Sequence, residues 1–423
     1  MDGCPSVRTL TMKTSKLAIA SLFLTIFVDA AGIGIVFPAL TPMLLNNETG
    51  LFAASVSEAT RYQIYGIVLA LYPLAMFAAS PLLGDMSDRY GRKRVLLLCL
   101  GGNALGMLGT AAGVYAGSLW WVLIGRAICG LTAASLPVAQ AAVIDISTPD
   151  RKAGNLSMIT AANGVGFAIG PVIGGAFSGT GGGAFGLALP FVIGAALAAL
   201  TLAFVTVFFS DRRVHDGAAL ARRTGAWRRI LANAASPVLR PPLVILAVFL
   251  TGYYIFFNYM SAFSLLRYGF DAFWEAMLLS FYSACFAVSL LFIIPALAKA
   301  FSPKQNLMGS LMAQPVLIAL VMVVDAPVSL WAAVPLLALA VSNSYVTLLS
   351  IASNRAAADD QGQVLGVVSS INALAWGVAP IVTSLLQPHS IILPVSTSAL
   401  VLVAACALGG RFCNQAVELE VSQ

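Results

Sequence analysis

The sequence predicts an all-helical membrane protein with 12 transmembrane helices in two six-helix bundles. Three observations carry that prediction. Only 9% of the 423 residues are charged and 59% are apolar, with a mean hydropathy of +0.91. Soluble domains run at about 25% charged and about 45–50% apolar, so ordinary cores could not hide this much apolar surface. The apolar residues also fall into long runs of about 20, the length a helix needs to cross a bilayer. Finally, the basic residues alternate from one connection to the next. This composition excludes a multidomain soluble globule, intrinsic disorder, a disulfide scaffold and a nucleic-acid module.

The runs cover residues 17–45, 62–83, 95–115, 119–144, 154–177 and 184–209, then 242–266, 276–298, 307–324, 330–351, 364–386 and 391–409. None alternates apolar and polar as barrel strands do. The first follows Lys13 and Lys16 but outruns the apolar core of a signal peptide, so it is read as a retained helix. Met1 and Met12 both remain open as the start.

Charge sets the orientation. Of the 23 Lys and Arg residues, 20 lie in the even-numbered connections, the two tails and the middle segment, including seven arginines between 212 and 240. The odd connections hold only Arg61 and Arg267, and Arg126 lies inside the fourth run. Positive charge stays in the cytoplasm, so a multi-pass inner-membrane protein with both termini cytoplasmic is expected. The net charge of +6 then reflects insertion rather than an acidic partner. The expected organisation is a tail at 1–16, a bundle at 17–209, a cytoplasmic linker at 210–241 with a short surface helix around Trp227, a bundle at 242–409 and a tail at 410–423. Faint repetition supports two related halves: 84–94 resembles 295–304, and the loop at Gly154 resembles that at Gly362. Such repeats with a site between them are a transporter architecture.

Most other motifs carry no chemistry. No Gly-x-x-x-x-Gly-Lys-Ser/Thr loop exists, which disfavours direct ATP-driven pumping. The Gly-x-Gly-x-x-Gly match at residues 181–186 sits in an outer loop with no preceding strand and reads as chance. The six cysteines lack zinc spacing, and neither His215 nor His389 joins a nucleophile. No enzyme activity, metal or cofactor is expected. Asn47-Glu48-Thr49 is a glycosylation sequon of little weight.

The second connection is informative: Gly84-Asp85-Met86-Ser87-Asp88-Arg89-Tyr90-Gly91-Arg92-Lys93-Arg94. A cytoplasmic loop explains its basic residues but not Gly84, Asp88 and Gly91 in this order, where glycine permits a tight turn and close helix approach. This segment resembles the signature loop of the major facilitator superfamily, Gly-x-Leu-x-Asp-Arg-x-Gly-Arg-Lys/Arg, with Met86 in place of Leu. The resemblance makes Gly84, Asp88, Arg89, Gly91, Arg92 and Lys93 a gating element. It implies that Asp88 bonds the N-terminus of the eleventh helix, near Asp359-Asp360-Gln361-Gly362-Gln363, with Arg92 as counter-charge. A carboxylate there would meet free N–H groups and the positive end of the helix dipole.

The resemblance extends along the chain. Arg126-Ala-Ile-Cys-Gly130 resembles the buried arginine motif of the fourth span. Gly166, Gly170, Pro171, Gly174 and Gly175 resemble the antiporter motif of the 12-span drug:proton antiporters. Three of these glycines repeat every fourth residue on one face, which suits close packing whether or not it serves export, and Pro171 is expected to bend the helix. Asp29-Ala-Ala-Gly-Ile-Gly-Ile-Val-Phe-Pro38 and Leu69-Ala-Leu-Tyr-Pro resemble the tetracycline:proton antiporters in particular. Those proteins carry further acidic residues in helices 3 and 9 and a histidine in helix 8. Here the first two positions fall at Gly106 and Gln314, and the eighth span has no histidine.

Asp29 and Arg126 are the mid-span charges, each costing about 3 kcal/mol at a helix centre. They are the candidate coupling pair: Asp29 binds a proton or a cationic substrate and Arg126 modulates it, unless the two form only a static pair. Glu275 and Asp145, at span ends, read as interfacial. The C-terminal half offers aromatic and amide residues instead, namely Tyr253, Tyr254, Phe257, Asn258, Tyr282, Asn343, Tyr345, Asn372 and Trp376. They suit a bulky amphiphile, although an interfacial aromatic belt would also use Trp and Tyr. The expected function is proton-driven efflux of small amphiphilic molecules or drugs by a monomer whose partners are substrate, protons and lipid. Export of an endogenous metabolite such as a siderophore, solute uptake, and a non-transporting receptor or scaffold remain alternatives.

Overall fold

Every secondary-structure element in the described residues is a helix. The computed structural model describes residues 5–45, 56–178, 182–211, 236–355 and 361–421. The sequon at Asn47, the segment around Trp227 and the pair Asp359-Asp360 lie outside them. In chain order the helices are α1 (Pro5–Leu45), α2 (Glu58–Tyr90), α3 (Arg92–Tyr115), α4 (Leu119–Leu131), α5 (Ser135–Ile146), α6 (Pro149–Phe177) and α7 (Gly183–Phe208). Then come α8 (Arg240–Tyr268), α9 (Ala272–Val288), α10 (Ile294–Ala300), α11 (Pro303–Val323), α12 (Val328–Asn354), α13 (Gln361–Leu386) and α14 (Leu393–Val421). Twelve segments are long and apolar enough to cross a membrane, matching the twelve apolar runs.

Among the described residues, fourteen α-helices make twelve spans because two spans are interrupted, each near a proline. In the fourth span, Pro137 has no N–H for the carbonyl of Ala133 and its ring crowds that oxygen, so α4 stops at Leu131 and α5 restarts at Ser135. In the eighth, Pro295 follows a π-helical turn at Ser289–Ile293 that joins α9 to α10. Helix ends carry their own signals. Asp271 accepts the Trp274 N–H at 2.9 Å to cap α9, Ser302 and Gln305 form a reciprocal capping box on α11, and Gly269 ends α8 at φ 69°.

Large apolar side chains face outward along these helices, Trp120 being 76% exposed and Val323 81%. A lipid environment accommodates them, and helices satisfy their own backbone polar groups there.

The chain groups into two compact units, one of Met1–Ala39 with Ala78–Thr224, the other of Leu40–Phe77 with Gly225–Gln423. In the first, α3 packs mainly on α7 and α4. Its core joins Leu22 and Ile26 of α1 to Leu96 and Leu100 of α3, Val138 and Val143 of α5 and Ile159 of α6. In the second, α11 packs on α12 and α14, while α8 packs on α13 and α14. The third span thus meets the fourth and sixth in one unit, and the ninth meets the tenth and twelfth in the other.

Candidate functional site

The signature segment is a helix corner rather than an open loop. Polar residues do not stop a helix, so α2 continues through Asp85, Asp88 and Arg89 to Tyr90, and α3 begins at Arg92. Gly91 alone makes the turn, at φ 97° and ψ 150°, a conformation almost confined to glycine. A Cβ there would also collide with the Asp211 carboxylate, which accepts the Lys93 N–H at 3.0 Å. Lys93 Nζ donates to Thr206 O at 2.8 Å, fastening the corner to α7. Gly84 is different: it lies inside α2, and a Cβ there would meet nothing within 4 Å.

Arg92 holds this corner together. Its guanidinium pairs with Asp88 one turn earlier, donates to Ser87 Oγ at 2.6 Å and reaches Asp145 Oδ2 of α5 at 3.3 Å. Asp145 is therefore an ion-pair partner shielded inside the corner, not simply an interfacial residue. Its role was hidden because 53 residues separate it from Arg92. The residues facing Asp88 in the resemblance, at the start of α13, are in part outside the described residues.

The glycine ladder of α6 faces α1 directly. A Cβ at Gly166 would strike Phe27 O, one at Gly170 would strike Ala31 O, and one at Gly174 would approach Ile35 O at 2.5 Å. Pro171 Cδ comes within 2.6 Å of where a Cβ on Gly34 would stand. Gly175 is buried beside Gly174, and α6 runs on helically through Pro171. Backbone therefore packs on backbone along the stretch of α1 that carries Asp29.

Asp29 is half-buried there. Arg126 of α4 is 4% exposed, and Cys129 lies within electrostatic reach of both. Cys129 Sγ contacts Asn103 Oδ1 at 3.7 Å. Asp29 and Arg126 thus share a neighbourhood around Cys129. A Cβ at Gly106 would collide with Cys129 Sγ and come within 2.7 Å of Gly125 O, so this position has no room for a carboxylate.

The aromatic candidates form a second cluster, in the other unit. Tyr254 stacks on Trp376 at 5.8 Å and donates to Asn372 Oδ1 at 3.0 Å, while Trp376 Nε1 donates to Asn258 Oδ1 at 3.2 Å. Tyr253 packs against Phe257 at 5.6 Å, and Tyr282 OH donates to Tyr253 OH at 3.0 Å. Tyr345 lies beside Tyr254. Asn343 is turned elsewhere, donating to Asn306 O at 3.2 Å. All these candidates are buried or half-buried, whereas Tyr115, Trp120 and Trp274 are exposed as a belt would require.

Two residues that were not among the cavity candidates join this cluster. Tyr72 of α2 meets Trp376 edge-on at 5.8 Å. Gln314, fully buried, lines a cavity of about 10 Å³ with Tyr253, Phe257 and Tyr282. Its Nε2 donates to Ser344 Oγ at 2.9 Å, and its Oε1 has no partner. The sequence marks Gln314 only as a neutral residue at the ninth-span position of an acid, and gives no sign of these partners.

Glu275 corrects the expectation of an interfacial residue, since it is 0% exposed. Its span was expected to open at Ala276, but the Asp271 cap starts α9 at Ala272. Glu275 then shares the inward face of Leu278, Leu279 and Tyr282.

Comparison with known proteins agrees with this architecture. The family model described as Major Facilitator Superfamily matches residues 22–380. The chain is 31% identical to the tetracycline resistance protein, class D, of Salmonella ordonez over 377 residues, 87% of this chain and 88% of that protein. It is 35% identical to the class H protein of Pasteurella multocida over 210 residues, spanning about half of each. The crystal structure of the human organic anion transporter MFSD10 (TETRAN) has a TM-score of 0.67 at 19% identity, covering 93% of this chain and 99% of that one. The twelve spans, the helix corner at Gly91 and a family match across most of the chain lead to one conclusion: this protein belongs to the major facilitator superfamily.

Proposed function

We propose that the protein is a secondary transporter that exports small amphiphilic organic molecules in exchange for protons. It works by alternating access between two six-helix bundles, in the inner membrane with both termini cytoplasmic. The observation that carries this reading is the placement of Asp29. A mid-span acid costs about 3 kcal/mol on insertion scales, so its retention calls for a use. It sits on the stretch of α1 whose backbone packs against Gly166, Gly170 and Gly174. A carboxyl there changes its exposure to water, and its distance from Arg126, whenever those helices move. Burial favours a carboxyl's neutral form and a nearby cation its charged form, so such movement binds and releases a proton. Arg126 modulates Asp29, and the segment from Gly84 to Lys93 gates the cytoplasmic side. The aromatic cluster around Tyr254 and Trp376 supplies faces for an amphiphile.

The relatives are named for tetracycline resistance, but two positions favour another substrate here. Gly106 leaves no space for an acid against α4, and the position in the ninth span is the neutral Gln314. A drug of different charge, or an endogenous metabolite, suits these residues better than tetracycline. The test is transport in proteoliposomes under an imposed pH gradient, with a panel of amphiphiles offered to the wild type. Substrate-dependent proton flux supports antiport, while its absence for every amphiphile favours a scaffold on the same fold.

A further inference from the structure

Glu275 occupies an environment in which a charged carboxylate is poorly accommodated. It is fully buried, and neither carboxylate oxygen has a hydrogen-bond partner. Its polar neighbours come from three other helices: Thr41 near the end of α1, Tyr65 of α2 and Ser261 of α8. Tyr65 is 2% exposed and its hydroxyl bonds Thr41 Oγ1 at 3.2 Å, while Ser261 Oγ faces the Glu275 carboxyl.

The other charged and titratable groups of the packed helices are engaged elsewhere. On α8, Arg267 pairs with Asp325 at 2.9 Å, Tyr259 OH donates to Ile391 O at 3.0 Å, and the Tyr268 ring packs on Phe263. On α2, Arg61 Nε donates to Val56 O at 3.3 Å, and Glu58 and Tyr62 lie nearer the helix start. Within Val328–Asn354, α12 carries no Asp, Glu, Lys or Arg, and its one tyrosine, Tyr345, sits beside Tyr254.

Neutral hydroxyls alone offset poorly the cost of burying a charged carboxylate. A protonated carboxyl in the same place both donates and accepts, and the three hydroxyls around it offer both complements. We infer that Glu275 is a second proton-binding group of the transport cycle, distinct from Asp29, that is protonated while the end of α1 and the start of α2 pack on α8 and α9. When those helices part and water enters, the carboxyl O–H bond breaks, the proton passes to water and the carboxylate is hydrated. Because Glu275 is the fourth residue of α9, it lies about one turn from the helix end. On the topology proposed above that end faces outside, so the exchange is with the outer solution. The role rests on the antiport reading, but the proton itself is detectable without transport.

The experiment is infrared spectroscopy of the full-length protein in liposomes across a pH titration, reading the stretching band of protonated carboxyl groups. The expected result is a band at neutral pH that survives Asp29→Asn and disappears in Glu275→Gln. Should Glu275→Gln fail to fold, Glu275→Asp is expected to shift the band. A wild type lacking the band, or a band unchanged by the Glu275 substitution, overturns the inference. Failure of the antiport reading would show separately, as no substrate-dependent proton flux in the wild type.

Discussion

Gly170 of α6 lies so close to Ala31 of α1, two residues beyond Asp29, that a Cβ on Gly170 would overlap the Ala31 carbonyl oxygen. Seating a methyl group would push the two helices apart and disturb the register around Asp29. Gly170→Ala should therefore cost about 1–3 kcal/mol, the usual penalty for overpacking, and slow transport. Thermal melting in detergent checks the first effect. Gly154→Ala is the control, since a Cβ there meets nothing within 4 Å.

The two glycines of the signature segment should behave oppositely. Gly91→Ala forces an L-residue into φ 97° and against Asp211, a strain of about 1–3 kcal/mol. Gly84→Ala stands in open space within α2 and should stabilise the helix by up to about 1 kcal/mol. Melting temperatures of the two variants, measured side by side, decide this. Equal losses would contradict the helix-corner description.

Arg92 and Asp145 should prove energetically coupled. Their atoms approach to 3.3 Å in a shielded setting, so a double-mutant cycle with Arg92→Ala and Asp145→Ala should show an interaction of about 0.5–3 kcal/mol. The cycle can be run on stability and on transport rate. Additive losses would mean that the contact has no energetic weight.

The aromatic cluster predicts a binding effect. Trp376→Phe keeps a ring against Tyr254 but removes the Nε1 donation to Asn258. Losing one such bond costs about 1 kcal/mol of stability and loosens the ring's seat over Tyr254, so KM should rise if the cluster holds substrate. An unchanged KM across several amphiphiles would assign the cluster to packing alone.

These residues also show what the chain discloses before its structure is known. Hydropathy located all twelve spans, because bilayer thickness sets a length that runs such as 17–45 satisfy on their own. It did not locate helix ends. The polar stretch after Leu83 looked like a loop, yet helical hydrogen bonding carries α2 to Tyr90, and only the positive φ of Gly91 breaks it. The same error hid Glu275: drawing the span from the first apolar residue put it outside, whereas the Asp271 cap puts it on the buried face of α9. Asp29, Arg126 and the glycine ladder were legible because a mid-span charge and a fourfold glycine spacing are rare patterns. The contacts of Asp145 and Gln314 were not, since they are made with partners brought close by folding, Arg92 for one and Ser344 for the other.

Proton coupling through Asp29 is read from substrate-dependent proton flux into proteoliposomes. With an imposed pH gradient, the wild type should move protons only when a transported amphiphile is present, and Asp29→Asn should abolish that flux while still binding the substrate. Undiminished proton-driven transport by Asp29→Asn would mean that another group carries the proton.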